Sequence, residues 1–147
     1  MRVSVILLSW NGMDDLGNAL EALQAQSSSG VEIIVVDNAS TDGSAEFVER
    51  YYPDVSLIRS PCNVGFAGGN NRGLEVATGK VLVLLNQDTI VRRGWLNALV
   101  AALAGNPRSG IVGAKALFPD GRIQHAGGFV DVRGSAARMS GGLSLRR

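Results

Sequence analysis

The stretch Val31-Glu32-Ile33-Ile34-Val35-Val36-Asp37-Asn38-Ala39-Ser40-Thr41-Asp42-Gly43 decides how the chain folds. A strand-length run of aliphatic, mostly β-branched residues changes abruptly into a cluster of side-chain oxygen acceptors. That pattern suits a strand buried on both faces whose end opens into a polar loop. It recurs twice. Val3 to Leu8 runs into Ser9-Trp10-Asn11-Gly12, and Val81 to Leu85 runs into Asn86-Gln87-Asp88.

The segments between these runs carry helical spacing. Leu16, Ala19, Leu20 and Leu23 line one face of a helix that stops at Ser27-Ser28-Ser29-Gly30. A short helix is predicted around Ala45 to Tyr51, capped by Thr41 or Asp42. Val55 to Ile58 reads as a third strand, Gly69 to Ala77 as a helix, and Trp95 to Ala104 as a helix with Trp95 in the core. Ile111 to Phe118 reads as a fifth strand leading into the turn Pro119-Asp120-Gly121. Strands alternating with helices predict an α/β fold with a doubly wound, mostly parallel sheet, whose ligands lie beyond the carboxyl ends of the strands.

At 147 residues and 46% hydrophobic content the chain has the size and apolar mass of one packed domain. Fourteen basic residues against thirteen acidic ones leave no field to recruit nucleic acid. The exception is the segment after Asp131, which carries Arg133, Arg138, Arg146 and Arg147 and no acid; residues 131–147 read as a basic Gly/Ser/Arg tail, poorly ordered, after a domain spanning residues 1–130. One cysteine, Cys62, precludes an intrachain disulfide and fits a reducing, cytoplasmic setting. The apolar run at the start lacks a small-residue cleavage site, and no window reaches the length of a membrane span.

Each polar cluster supports two readings. Asp88 with Asn86 offers oxygen ligands to a hard divalent cation that also bridges phosphates, and it could equally cap the segment before Trp95. Asp37 to Gly43 holds enough acceptors for a base or ribose, or for its own backbone. Gly65-Phe66-Ala67-Gly68-Gly69-Asn70-Asn71-Arg72-Gly73 lets backbone approach a ligand at a helix start, without the spacing of the dinucleotide fingerprint. His125 reads as a structural histidine rather than a catalyst, and Cys62 as a small loop residue.

Taken together, Val5 to Asn11, Val35 to Gly43, Asn63 to Asn71 and Leu84 to Thr89 resemble a family 2 glycosyltransferase, over Val3 to about Val130. The resemblance is strongest to bacterial members that transfer rhamnose or related sugars onto polysaccharides. It implies the Rossmann-like GT-A fold and an inverting transferase that uses a UDP- or dTDP-linked sugar. It assigns the nucleotide to Ser9, Trp10, Asn11, Asp37, Asn38, Gly65, Gly68, Asn71 and Asn86, and Mg²⁺ or Mn²⁺ to Asp88 and Asn86. A glycan or lipid-linked acceptor of the cell envelope, peripheral attachment at the inner membrane face and a homo-oligomer are further expectations from it.

Two departures stand out. The family's D-x-D motif is here Asn86-Gln87-Asp88, so Asp88 carries most of any metal affinity. The family's general base comes from an acidic motif well downstream of the metal motif. After Asp88 the only carboxylates are Asp120 and Asp131, and neither sits in such a motif, so the acceptor-binding half is expected to be missing. The competing function is a non-catalytic nucleotide-sugar-binding module. A phosphoacceptor receiver domain would need acids where Trp10-Asn11-Gly12 stand, and a nicotinamide-dependent dehydrogenase would need glycines there.

Overall fold

The computed structural model describes residues 2–25, 30–130 and 136–138. They group into two compact units, one ending at Gly94 and one beginning at Trp95.

The first unit is built on β1 (Val3–Ser9), α1 (Met13–Gln24), β2 (Val31–Asp37), α2 (Ser44–Tyr51), β3 (Ser56–Arg59), α3 (Gly65–Val76) and β4 (Val81–Asn86). Its four strands are parallel in the order β3-β2-β1-β4. The aliphatic runs occupy the centre because their side chains can be buried on both faces: Val5, Ile6, Leu7 and Val35 have no exposed surface. Each such side chain contributes about 1.5–3 kcal/mol of transfer free energy. All four apolar residues of the α1 stripe, Leu16, Ala19, Leu20 and Leu23, are buried as the spacing predicts.

Right-handed crossovers place α1 and α2 on one face and α3 on the other, because the strand order reverses between β1 and β4. On the α3 face Ile6, Ile34 and Val36 form a buried cluster with Leu8, Ile58, Leu74 and Ala77 packed against it. The helix comes close because it presents glycines. A Cβ at Gly69 would lie 2.3 Å from a Leu8 methyl, and one at Gly73 would lie 2.4 Å from Ile6.

Two expectations need correction. The glycine-rich segment is not a loop before a helix starting at Gly69; α3 begins at Gly65. The extra turn is held from outside, since the Asn63 Oδ1 accepts from the Gly65 amide (2.8 Å) and the Asn38 Oδ1 from the Val64 amide (3.0 Å). The predicted strand from Ile111 to Phe118 is also wrong. Residues 111–115 form no regular element, and β5 (Ala116–Leu117) pairs antiparallel with β6 (Ile123–His125). Gly121, at φ 86°, lets the turn at Pro119 to Gly121 close this local hairpin in place of a parallel partner.

The second unit also holds α4 (Trp95–Ala104) and a pair formed by β7 (Gly128–Val130) and β8 (Ala136–Arg138). Trp95 is half-buried rather than a core residue. β8 falls within the predicted tail; residues 131–135 and 139–147, and with them Asp131, Arg133, Arg146 and Arg147, lie outside the described residues.

Candidate functional site

The reversal of strand order opens a crevice at the carboxyl ends of β1 and β4, where a doubly wound sheet takes its ligands. The register lines the predicted residues along this edge: Ser9 stands opposite Asp37, and Leu8 opposite Asn86.

Ser9 and Asp37 form the centre. Partners in a parallel register share a face, so both side chains lie on the face opposite α3. Ser9 is fully buried and Asp37 only 4% exposed. The Asp37 Oδ2 accepts from the Ser40 amide at 3.2 Å. Its Oδ1 and the Ser9 Oγ have no hydrogen-bond partner among the described residues. A buried polar atom left unpaired costs about 1–3 kcal/mol, and both atoms lie at the end of the sheet where ligands bind in such folds.

The surrounding loops are fixed by side chain to backbone bonds. The Asn11 amide donates to the Ser40 Oγ (3.0 Å), and the Asn11 Oδ1 accepts from the Thr41 amide (2.8 Å). Asn11 and Ala39 are the two non-glycine residues at positive φ, 46° and 65°. Such conformations persist only where their neighbours over-determine them. Asp42 accepts from the Met13 amide (3.1 Å) with one oxygen and from the Ser44 amide (3.0 Å) and hydroxyl (2.6 Å) with the other. It thus serves the first turns of both α1 and α2, although the N-cap of α2 is Gly43 at φ 90° rather than the expected Thr41 or Asp42; the Ser44 hydroxyl is the main reason the Asp42 carboxyl is held below the usual carboxylate range.

Two predicted positions, Asn38 and Gly68, and Gln87 between Asn86 and Asp88 make contacts within the scaffold. Asn38 is buried, and its amide donates to the Asn63 Oδ1 (2.9 Å) and the Gly65 carbonyl (3.3 Å) while its oxygen takes the Val64 amide. Both of its amide donors and one lone pair of its oxygen are engaged by the start of α3. Gln87, the middle residue of the acidic motif, turns back across the crevice: its Oε1 accepts from the Trp10 amide (2.8 Å) and its Nε2 donates to the Trp10 carbonyl (3.3 Å). Gly12 lies directly beneath it: a Cβ there would lie 2.0 Å from the Gln87 Nε2, so a larger residue would push this amide off Trp10. Gly68 packs against the Val64 side chain.

The remaining predicted residues face outward. Trp10 is 54% exposed at the rim, and Asn71, Asn86 and Asp88 are exposed. Gly65, at φ 74°, has open space where its Cβ would be. The Asn86 carbonyl accepts from the Thr89 amide (3.2 Å), closing a turn that presents Asn86 and Asp88 beside the mouth of β1. Among the described residues no group of three or more His, Cys, Asp or Glu side chains is placed to hold a metal ion. Asp88 and Asn86 therefore fit only a hard cation that takes its remaining oxygens from a diphosphate and water. A cavity of about 450 Å³ beside Asn11 and Gly12 is lined by Asp14, Asp15 and Asp42, whose negative charge makes it unfit for a diphosphate.

Sequence reasoning passed over Asn70. It is 3% exposed; its Nδ2 donates to the Phe66 carbonyl (2.9 Å) and its Oδ1 has no partner. Its position one residue after Gly69 on the buried stripe of α3 was the available signal. Of the carboxylates considered as a base, Asp120 is bound by the Arg122 amide (3.0 Å) and guanidinium (2.6 Å), which hold its carboxyl low and so reduce its basicity. His125 sits in β6 opposite Ala116.

A parallel sheet whose strand order reverses between polar strand ends is the doubly wound α/β architecture, which takes its ligands at that switch point. The pattern of the family described as Glycosyl transferase family 2 matches residues 4–125, and the chain belongs to that family. Among curated proteins it is 38% identical over 90 residues to the uncharacterized glycosyltransferase YibD of Escherichia coli, covering 59% of this chain and 26% of YibD. It is 33% identical over 141 residues to the O-antigen biosynthesis protein RfbC of Myxococcus xanthus, covering 92% of this chain and 11% of RfbC. Among solved structures it matches the mannosyltransferase PcManGT of Pyrobaculum calidifontis, in complex with GDP-Man and Mn²⁺, at a TM-score of 0.66 and 32% identity, over 72% of this chain and 33% of that one. It matches S. aureus TarS (residues 1–349) at 0.63 and 25%, over 71% and 33%. The fold is thus the GT-A type, and the chain spans at most about a quarter of the YibD and RfbC sequences.

Proposed function

We propose that this chain is the donor-binding part of an inverting glycosyltransferase that uses a UDP- or dTDP-linked sugar and builds a cell-envelope glycan. The observation that carries the reading is the buried pair Ser9 Oγ and Asp37 Oδ1, unpaired at the carboxyl end of the sheet. The Asp37 Oδ1 suits a ring N–H of the base, the exposed Trp10 offers a face for stacking, and Asn11 shapes the turn between them. Asp88, helped by the Asn86 carbonyl oxygen, would hold Mg²⁺ or Mn²⁺. That ion offsets the charge growing on the departing nucleoside diphosphate. The complex of PcManGT with GDP-Man and Mn²⁺ supports a nucleotide sugar and a divalent ion as the kinds of ligand proposed here. Gly65 and Asn71 at the start of α3 complete the proposed nucleotide contacts, and Asn38 and Gly68 serve them by fixing that helix.

Transfer requires an acceptor hydroxyl to attack the anomeric carbon, give up its proton to a base and expel the nucleoside diphosphate. The base and the acceptor site are assigned to polypeptide beyond these residues, in keeping with the greater length of the relatives. The test is calorimetry of UDP, dTDP and their sugars with and without Mn²⁺, on this chain and on Asp88→Ala. Binding strengthened by Mn²⁺ only in the unaltered chain is expected. Equal binding in both proteins with and without metal would remove the metal assignment, and absence of binding to every nucleotide would remove the donor site. Robust multiple turnover by this chain would instead move the search for a base to Asp120, Asp131 and His125.

A further inference from the structure

The backbones of β1 and β4 stop pairing at Leu8 and Asn86. Past that point the Ser9 carbonyl turns toward β2, where it accepts from the Asn38 amide (2.8 Å). Trp10 turns its own amide and carbonyl the other way, and one side chain meets both. The Gln87 Oε1 accepts from the Trp10 amide (2.8 Å), and the Gln87 Nε2 donates to the Trp10 carbonyl (3.3 Å). A carboxamide carries the donor and acceptor of a peptide group, so Gln87 continues the parallel ladder with its side chain. The backbone of β4 is thereby released to turn away, through the Thr89 amide bonded to the Asn86 carbonyl (3.2 Å). Asn86 and Asp88 are exposed in that turn, and Gln87 between them is half-buried. Gly12 leaves the space that the amide occupies.

We propose that Gln87 is a positioning residue that sets Trp10 and the pair Asn86 and Asp88 relative to each other, so that the base and the cation-bound diphosphate of the donor are gripped together. The proposal rests on the donor-site reading above, in which Trp10 stacks on the base and Asp88 with Asn86 holds the cation. Gln87 needs no contact with the nucleotide to do this. Its two bonds fix the Trp10 backbone before the donor arrives, so binding loses less conformational entropy. The same bonds anchor the middle of the turn from Asn86 to Asp88, so releasing Gln87 loosens both places at once. Two subsites joined in this way share a coupling free energy, and whatever orders one raises the affinity of the other. Trp10, Gly12 and Asn86 to Asp88 all belong to the first compact unit.

Calorimetry with uridine or thymidine in the absence of metal reads the base subsite, and the strengthening of UDP or dTDP binding by Mn²⁺ reads the cation subsite. Trp10→Ala should lower the first and Asp88→Ala the second. Gln87→Ala is expected to lower both, each by about tenfold, the scale of one or two lost hydrogen bonds. Gly12→Ala displaces the amide with Gln87 still present, so it should reproduce both losses, yet add none in a Gln87→Ala background. A spectroscopic readout needs no ligand. The chain has two tryptophans, and with Trp95→Phe the emission of Trp10 alone is seen; its polarisation should fall in Gln87→Ala. A Gln87→Ala chain that keeps either affinity, unchanged Trp10 polarisation, or a Gly12→Ala loss that persists without Gln87 overturns the proposal. Silence of both Trp10→Ala and Asp88→Ala would remove the donor-site reading and this proposal with it, whereas effects of those two beside a silent Gln87→Ala would remove the coupling alone.

Discussion

The two ends of one sheet show how differently the same strands can be finished. At the amino end polar groups are matched. Glu32, near the start of β2, accepts from the Ser4 hydroxyl, the Thr78 amide (2.9 Å) and hydroxyl (3.0 Å), and Arg2 (3.5 Å), while the Ser4 Oγ also accepts from the Gly79 amide (2.8 Å). At the carboxyl end Ser9 and Asp37 are as deeply buried and yet hold unpaired atoms. Folding alone rewards the first arrangement and penalises the second. The amino end is where the chain is clasped, and the carboxyl end is where polar atoms are left unpaired at the proposed binding site.

Changes at the clasp should therefore damage folding and leave binding alone, and changes at the crevice should do the reverse. The largest effect is expected from Gly79→Val. A Cβ at this position would lie 2.5 Å from the Ser4 amide nitrogen and 2.8 Å from the Val3 carbonyl carbon, both backbone atoms that cannot swing away. A loss of roughly 3 kcal/mol in urea unfolding is expected, at the upper end for overpacking. A fully stable Gly79→Val would mean the clasp is looser than described.

Asp37→Ala comes next and carries the comparison. Nucleotide binding should weaken by about 1–3 kcal/mol, because the base donor loses its acceptor. Unfolding stability should change little, since the unpaired Oδ1 goes with the side chain while the Ser40 amide loses its Oδ2 acceptor. Unchanged affinity in calorimetry, or a marked loss of stability, would show that Asp37 belongs to the scaffold. Glu32→Ala should give the mirror image at smaller scale, a stability loss of about 1–2 kcal/mol with the dissociation constant for UDP unaltered.

The mildest test is acid. The Ser4 hydroxyl, then the Thr78 amide, hold the Glu32 carboxyl below its ordinary value of 4.5. A carboxylate with a depressed folded pKa stabilises the native state fully above its unfolded pKa and loses that contribution as pH falls through the folded value. Unfolding midpoints should thus begin to drop below pH 4.5, and the part due to Glu32 should vanish in Glu32→Gln. An identical acid profile in both proteins would assign the loss to other carboxylates.

Much of this plan was legible along the chain. The aliphatic runs marked the core strands, helical spacing picked out the four buried residues of α1, and the polar clusters fell at the strand ends as the sheet rule requires. What stayed hidden depends on partners distant in sequence. Nothing in Asn86-Gln87-Asp88 says that the middle amide reaches 77 residues back to Trp10. Asn38 looked like a ligand contact because its real partners, Val64 and Gly65, arrive from another loop, and those same bonds start α3 earlier than its apolar spacing suggests. The misread strand at Ile111 to Phe118 had strand composition, but Gly110 and Gly113 interrupt it and the following turn supplies a nearer partner. Composition ranks a segment's taste for extended backbone without naming its neighbour.

The central position of β1 also sets a timetable for synthesis. β1 leaves the ribosome first among the strands and finds one neighbour as soon as Asp37 follows, yet its other side waits for Asn86. At roughly 5–20 residues per second, that flank stays open for several seconds, with Ile6 and Leu8 presented to whatever is nearby. Pairings this distant along the chain are slow to form even when all the residues are available. The strand beside the crevice is thus the first of this sheet to be made and among the last to be completed on both sides.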